Sequence, residues 1–174
     1  MAQEISGVDA ATAAGLVGII SIANGSGRFL WAWLSDAVGR KAVFLAMFLL
    51  QAAAFLLLSH VSGFVSLAIL AFVILLCYGG GFGTMPAFAA DYFGAKDIGS
   101  IYGLMLTAWG AAGVVGPTVI AQIRQVTGEY QGAMRIMALV TLLSATVPLL
   151  LHPPSLRRTS SAGDLESAAK RIAS

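Results

Sequence analysis

The sequence predicts an all-α, polytopic membrane protein with five transmembrane helices. Of its 174 residues, 58% are hydrophobic and 10% are charged, whereas soluble domains are about 45–50% apolar and about 25% charged. No Asp, Glu, Lys or Arg occurs from residue 42 to residue 90. Because a helix needs roughly 20 apolar residues to cross the hydrocarbon layer, this uncharged run is long enough for two crossings.

Each predicted span is an apolar segment that ends at charged or polar residues. Arg28 is the only charge well inside a span, and a polar turn around His60 separates the second span from the third. Pro153 and Pro154 end the fifth span. The predicted organisation is an external segment over residues 1–9, a helical bundle over 10–152 with spans at about 10–35, 42–59, 64–88, 99–123 and 133–151, and a cytoplasmic tail over 153–174.

The orientation in the membrane follows from the basic residues of the loops, because these favour the cytoplasmic side. One side collects Arg40, Lys41, Lys96, Arg157, Arg158, Lys170 and Arg171, and the other side holds Arg124 and Arg135. We therefore expect a cell-membrane protein with its amino terminus outside and its carboxyl terminus in the cytoplasm. Residues 1–9 contain no signal peptide, so we expect the chain to be the downstream piece of a longer one.

Several classes of function are disfavoured by composition. The net charge of +2 comes without the clustered basic face that a nucleic-acid surface needs. Cys77 is the single cysteine, and the two histidines, His60 and His152, are far apart, so neither a disulfide nor a metal or cofactor site is expected. An enzyme is not expected either, since the spans hold no nucleophile paired with a base.

A short polar loop between the first two spans carries a family resemblance. It reads D-x-x-G-R-K over residues 36–41 and resembles the signature loop of the major facilitator superfamily, with Ala32 and Ala37 where the usual form has glycine and a basic residue. Residues 79–103, GGGFGTMPAFAADYFGAKDIGSIYG, followed by LTAWG and by Gly116-Pro117, resemble the oxalate/formate exchanger branch of that superfamily.

The resemblance implies that the five spans correspond to helices eight to twelve of a twelve-helix fold. The partner would then be a missing amino-terminal part of six or seven helices, since such transporters bind substrate between two halves near the middle of the bilayer. It also implies a mechanical role for the loop residues Asp36, Gly39, Arg40 and Lys41, which would stabilise the outward-facing state. The alternative role of Arg40 and Lys41 is to fix the topology alone.

Arg28 is the leading candidate for substrate binding. Ionisable residues inside a membrane commonly serve function, and the planar guanidinium matches a carboxylate, so a small carboxylate anion is its natural partner. The resemblance likewise implies a helix-eight arginine in this role. The alternative is that Arg28 extends to the cytoplasmic headgroups. Asn24, one helical turn before Arg28, is included in the candidate site.

The number of carboxylates on the substrate depends on the cations of the cavity. The family's dicarboxylate exchangers have a basic residue in helix eleven, but residues 98–123 contain no Lys, Arg or His. An unpaired carboxylate in a low dielectric is costly, so a monocarboxylate is at least as well favoured as oxalate. Tyr78 and Trp109, near the centres of their helices, are expected to line the cavity and stack on the substrate, or else to fill space between helices.

Small and aromatic residues predict how the helices pack. Gly25 and Gly27 predict close packing or a local bend, and close-contact faces are predicted at Gly79 and Gly83, at Gly99 and Gly103, and at Gly110, Gly113 and Gly116. Trp31 and Trp33, just before the cytoplasmic loop, are expected to anchor at the membrane interface.

The function predicted from these observations is that of the carboxyl-terminal part of a secondary active transporter for small carboxylates. The alternative is a non-transporting membrane remnant or an assembly subunit. A carrier for neutral or cationic drugs is less favoured, since it would need an acidic residue in the cavity and no Asp or Glu lies within the predicted spans.

Overall fold

The structure, a computed structural model, describes residues 7–61, 63–94 and 96–151. Its helices are α1 Ala10–Val38, α2 Arg40–Leu58, α3 Phe64–Phe93, α4 Ile98–Thr127, α5 Gln131–Ser144 and α6 Thr146–Leu150. By length and composition, α1 to α4 can each cross a membrane, and α5 with α6 forms a fifth such segment. The prediction of an all-α protein with five spans is confirmed. The predicted tail over 153–174 and residues 1–6 lie outside the described residues.

The first two helices are joined by one residue. Asp9 caps the start of α1, where its Oδ1 accepts a hydrogen bond of 3.0 Å from the backbone N–H of Thr12. At the other end, Gly39 has φ +96° and ψ 148°, a conformation that strains a residue with a Cβ atom. The segment predicted as a gating loop is therefore a sharp turn at the single residue Gly39, which we call the joint between α1 and α2. Arg40 and Lys41 already belong to the first turn of α2.

The helices α1 and α3 run parallel, and their backbones are in close contact. A Cβ atom added at Gly79 would meet the backbone of Asn24, and one added at Gly83 would meet the backbone of Arg28. At Gly27, an added Cβ would meet a backbone carbonyl of α3. The close packing predicted at these three glycines is confirmed, because a side chain at any of them would push the two backbones apart.

Trp31 does not anchor at the membrane interface as predicted from its position near the loop. Its side chain is only 8% exposed and packs against Gly80 of α3, in a core cluster that also includes Val43, Met47 and Phe88. The prediction failed because Gly80 leaves a space on α3 that an indole fills. Trp33, two residues later on another face of α1, is 68% exposed.

The helix α4 is the least packed element of the described chain. None of its residues is buried, and a Cβ built on any of its glycines has no heavy atom within 4 Å apart from neighbouring residues of the same helix. Within the described residues, the close contacts predicted at Gly99, Gly103, Gly110, Gly113 and Gly116 are therefore not formed. The reason is that α4 lies at the edge of this bundle, with most of its surface uncovered.

Candidate functional site

Three aromatic side chains meet halfway along α3 and α4. Tyr78 and Phe82 are four residues apart on α3 and so share one helix face. Their ring centroids are 5.4 Å apart, and the Phe82 ring stands at 88° to the Trp109 ring of α4 with 5.2 Å between centroids. Trp109 Nε1–H donates a hydrogen bond of 2.7 Å to the Tyr78 hydroxyl oxygen. This bond joins α3 to α4 where the backbones themselves touch little.

Arg28 of α1 joins this cluster through its contact with Phe82. Its guanidinium carbon Cζ is 5.7 Å from the Phe82 ring centroid, within the range of a cation–π contact. The Arg28 backbone lies against Gly83, so the absence of a side chain at Gly83 allows the cation to reach the neighbouring ring. The structure thus brings together Arg28, Tyr78 and Trp109, three of the four predicted substrate-binding residues.

Phe82 is the residue that sequence reasoning missed. It occupies the centre of the cluster, in contact with both other rings and with the cation. Its spacing of four residues from Tyr78 was the available signal, since residues at this spacing lie one turn apart on the same helix face. The glycines around Phe82 in the GGGFG segment predicted helix packing instead.

Asn24 lies apart from the aromatic rings, in the contact between α1 and α3. Its Oδ1 atom faces Gly79 and is buried, and among the described residues it accepts no hydrogen bond. A buried acceptor without a donor costs roughly 1–3 kcal/mol. Within the described chain, Asn24 is therefore positioned by the packing of two backbones.

A cavity of about 200 Å³ borders the aromatic cluster. Its wall is formed by side chains of three helices, and those described there include no Asp, Glu, Lys or Arg. The lining residues are Phe44, Met47, Phe48 and Gln51 of α2, Cys77, Tyr78, Gly81, Phe82 and Met85 of α3, and Tyr102, Met105, Leu106 and Trp109 of α4. Three of these, Tyr78, Phe82 and Trp109, also form the cluster beside Arg28.

A second cluster, of charged residues, lies where α1 ends, α2 begins and α3 ends. The Arg40 guanidinium contacts Asp36 Oδ1 at 2.6 Å and Asp91 Oδ2 at 3.1 Å, and it donates to Ser35 Oγ at 3.0 Å. The Arg40 side chain is 25% exposed, so its charge is only partly solvated. One side chain therefore holds three helix ends together.

The charged cluster contains one member that was not predicted. The sequence predicts Asp36 and Arg40 as gating-loop residues, but it does not predict Asp91, which contacts Arg40 in the structure. The signal for Asp91 was present, because it ends the uncharged run and because the first and third spans must end on the same side of the membrane. Of the other predicted loop residues, Gly39 forms the joint, and Lys41 is half-buried in the first turn of α2.

Comparison with known proteins assigns this arrangement to a family. A sequence profile described as Major Facilitator Superfamily matches residues 1–173. The chain belongs to the Major Facilitator Superfamily. The helices α1 to α4 and the segment α5–α6 are thus membrane spans of a member of this superfamily, and the resemblance identified from residues 36–41 is confirmed at the level of the superfamily.

One relative extends this comparison to an individual protein. The chain is 29% identical over 119 residues to the uncharacterized MFS-type transporter YhjX of Escherichia coli (strain K12). The aligned part is 66% of this chain and 29% of that protein. The chain therefore matches less than a third of the length of this relative.

Proposed function

We propose that this chain forms the carboxyl-terminal part of a secondary active transporter that moves small carboxylates by alternating access. Membership of the Major Facilitator Superfamily and similarity to a protein described as an MFS-type transporter support transport. In this proposal the spans correspond to helices eight to twelve, and a further helical part of the protein covers the open side of the bundle. The uncovered surface of α4 is consistent with such a partner.

The observation that carries the substrate class is the position of the Arg28 guanidinium. It lies over the Phe82 ring, which also contacts the rings of Tyr78 and Trp109. A guanidinium is always protonated and presents paired N–H donors that match the two oxygens of a carboxylate. An anion is the partner that this cation binds most strongly, and the attraction grows as the local dielectric falls.

A monocarboxylate agrees better with these surroundings than a dicarboxylate does. The described residues that line the neighbouring cavity contribute no cation, so Arg28 is the charge that this part of the protein offers. The second carboxylate of oxalate would then be desolvated without a counter-charge, which is strongly unfavourable. A second cation in the remaining part of the transporter would reverse this preference.

The charged cluster is proposed to stabilise one of the two states of the transport cycle. Arg40 ties the joint at Gly39 to the end of α3 through Asp91, so α1, α2 and α3 move as one body while these contacts hold. In the proposed orientation, this cluster lies at the cytoplasmic side of the cell membrane, and the amino terminus lies outside. The proposed partners are thus a small carboxylate, the lipid bilayer and the further helices of the transporter.

The proposal is tested by carboxylate uptake into vesicles that contain the complete transporter. We expect Arg28→Ala to abolish uptake, and we expect Arg28→Lys to weaken it because an ammonium cannot bind both carboxylate oxygens in the same plane. Arg135→Lys, a matched change at an exposed arginine near the start of α5, is the control and should keep full uptake. Unchanged uptake in both Arg28 variants would refute the substrate role.

The alternative of a non-transporting remnant is not favoured by the family match. Sequencing the gene upstream of Met1 distinguishes a transporter part from a non-transporting remnant. A reading frame that continues in phase with further apolar spans is expected for a transporter part. Three results together would favour the remnant. They are an in-frame stop codon directly upstream, independent expression of the chain, and no transport when a homologous amino-terminal half is co-expressed.

A further inference from the structure

We propose that the substrate is a monocarboxylate with an apolar body about the size of a six-membered ring. Its carboxylate would bind Arg28 and the Tyr78 hydroxyl, and its body would fill the cavity between α2, α3 and α4. This inference rests on the proposed function, because it names the substrate class for the same site. It goes further in assigning the cavity as the subsite that selects among carboxylates.

The size of the cavity supports this assignment. Its volume is about 200 Å³, and an apolar cavity of about 150 Å³ in another protein stays dry and binds benzene. The wall is mostly Phe, Met, Leu and glycine, and the amide of Gln51 is already engaged, since its Nε2 donates to the Ile74 carbonyl at 3.1 Å. Formate or oxalate would leave most of this space unfilled and would offer polar atoms to an apolar wall.

The polar groups at the edge of the cavity match a single carboxylate. The Tyr78 hydroxyl accepts a hydrogen bond from Trp109 Nε1, and among the described residues it donates none. Its proton is therefore available to an anionic acceptor, and the bond to Trp109 fixes the oxygen in place. The Arg28 guanidinium supplies one positive charge and the Tyr78 hydroxyl adds a neutral donor, which suits a single carboxylate.

The two parts of the site are close enough to hold one small molecule. Arg28 Cζ is 5.7 Å from the centroid of the Phe82 ring, and the same ring lines the cavity. In this proposal, a carboxyl group attached directly to a ring, or through one or two methylenes, would extend from the cavity past Phe82 to the guanidinium.

The test measures dissociation constants by titration calorimetry on the complete transporter in lipid nanodiscs. The probes are acetate, butyrate, cyclohexanecarboxylate and the neutral cyclohexylmethanol. We expect affinity to rise about fourfold for each buried methylene, so that cyclohexanecarboxylate binds at least tenfold more tightly than acetate. We expect cyclohexylmethanol to bind far more weakly than the carboxylate of the same size.

A variant that fills the cavity tests whether the apolar body of the substrate binds there. Gly81 lines the cavity and has open space around its missing side chain, so Gly81→Leu is expected to occupy the cavity without displacing a neighbour. It should reduce the ratio of cyclohexanecarboxylate affinity to acetate affinity by at least fivefold. The control is Ala53→Leu on the exposed face of α2, which should leave this ratio unchanged.

The outcomes separate this inference from the proposed function. If all carboxylates bind equally well and Arg28→Ala abolishes that binding, the cavity is not a subsite, although carboxylate recognition stands. The cavity assignment also fails if Gly81→Leu leaves the ratio unchanged. If no carboxylate binds, both proposals fail. Both also fail if cyclohexylmethanol binds as tightly as cyclohexanecarboxylate in parent and Arg28→Ala proteins alike, and the cavity is then a site for neutral apolar molecules.

Discussion

The guanidinium of Arg28 lies over the ring of Phe82, with 5.7 Å between Cζ and the ring centroid. The face of an aromatic ring carries a partial negative charge, so it stabilises a cation without neutralising it. A carboxylate partner would do the opposite, since it would cancel the charge and occupy the donors. The contact with Phe82 therefore holds Arg28 in place and leaves its charge available to an anion.

Phe82 is expected to affect carboxylate binding through Arg28. Phe82→Leu keeps an apolar side chain but removes the ring, and the loss of a cation–π contact of about 0.5–1 kcal/mol should weaken binding about two- to fivefold. Phe82→Tyr keeps the ring and should bind like the parent protein. Titration calorimetry with acetate, which is too small to depend on the cavity, measures both. Equal affinities in the leucine and tyrosine variants would contradict this role of the ring.

The hydrogen bond between Trp109 and Tyr78 is expected to be visible by NMR spectroscopy. Tyr78→Phe removes the acceptor oxygen, so the proton resonance of Trp109 Nε1–H should move upfield in a spectrum of ¹⁵N-labelled protein, while that of Trp33 stays in place. Trp109→Phe assigns the resonance. We also expect a loss of about 1 kcal/mol in the free energy of unfolding. A Trp109 resonance that does not shift would show that this bond is not formed in the membrane.

The ion pair of Arg40 and Asp91 is expected to couple α2 to α3. A double-mutant cycle with Arg40→Gln and Asp91→Asn should give a coupling of about 0.5–1 kcal/mol, since both side chains are partly exposed. High salt should reduce it by screening. The same cycle with Asp97→Asn, at an exposed carboxylate before α4, should give no coupling. Unfolding in denaturing detergent measures all these variants, and equal couplings in the two cycles would contradict the assignment.

Adjacent glycines of α3 are expected to respond in opposite directions. A Cβ at Gly80 would collide with the Trp31 ring, whereas one at Gly81 would meet open space. Gly80→Ala should therefore destabilise the protein by about 1–3 kcal/mol, and Gly81→Ala should be neutral or stabilise it by up to about 1 kcal/mol through helix propensity. Thermal unfolding in detergent compares the two. Equal effects would mean that Trp31 does not pack against Gly80.

The arrangement of the two clusters depends on which helix faces meet, and composition does not specify this. Charge-free runs and their boundaries reveal spans, because lipid excludes charges from any helix that crosses it. They do not reveal neighbours, because every face of such a helix is apolar. Trp31 illustrates the limit, since its place near the loop predicted an interface anchor and a glycine on another helix made it a core residue.

The sequence by itself determined the fold class, the five spans and the superfamily, and it predicted candidate residues around Arg28 and over residues 36–41. Only the tertiary structure decided which residues join them: Phe82 under the Arg28 guanidinium and Asp91 beside Arg40. The physical reason is that crossing a membrane is a property of one helix and its solvent, whereas a site is a property of the contacts between helices. The contact of Arg28 with Phe82 was set by glycines that let the backbones of α1 and α3 approach.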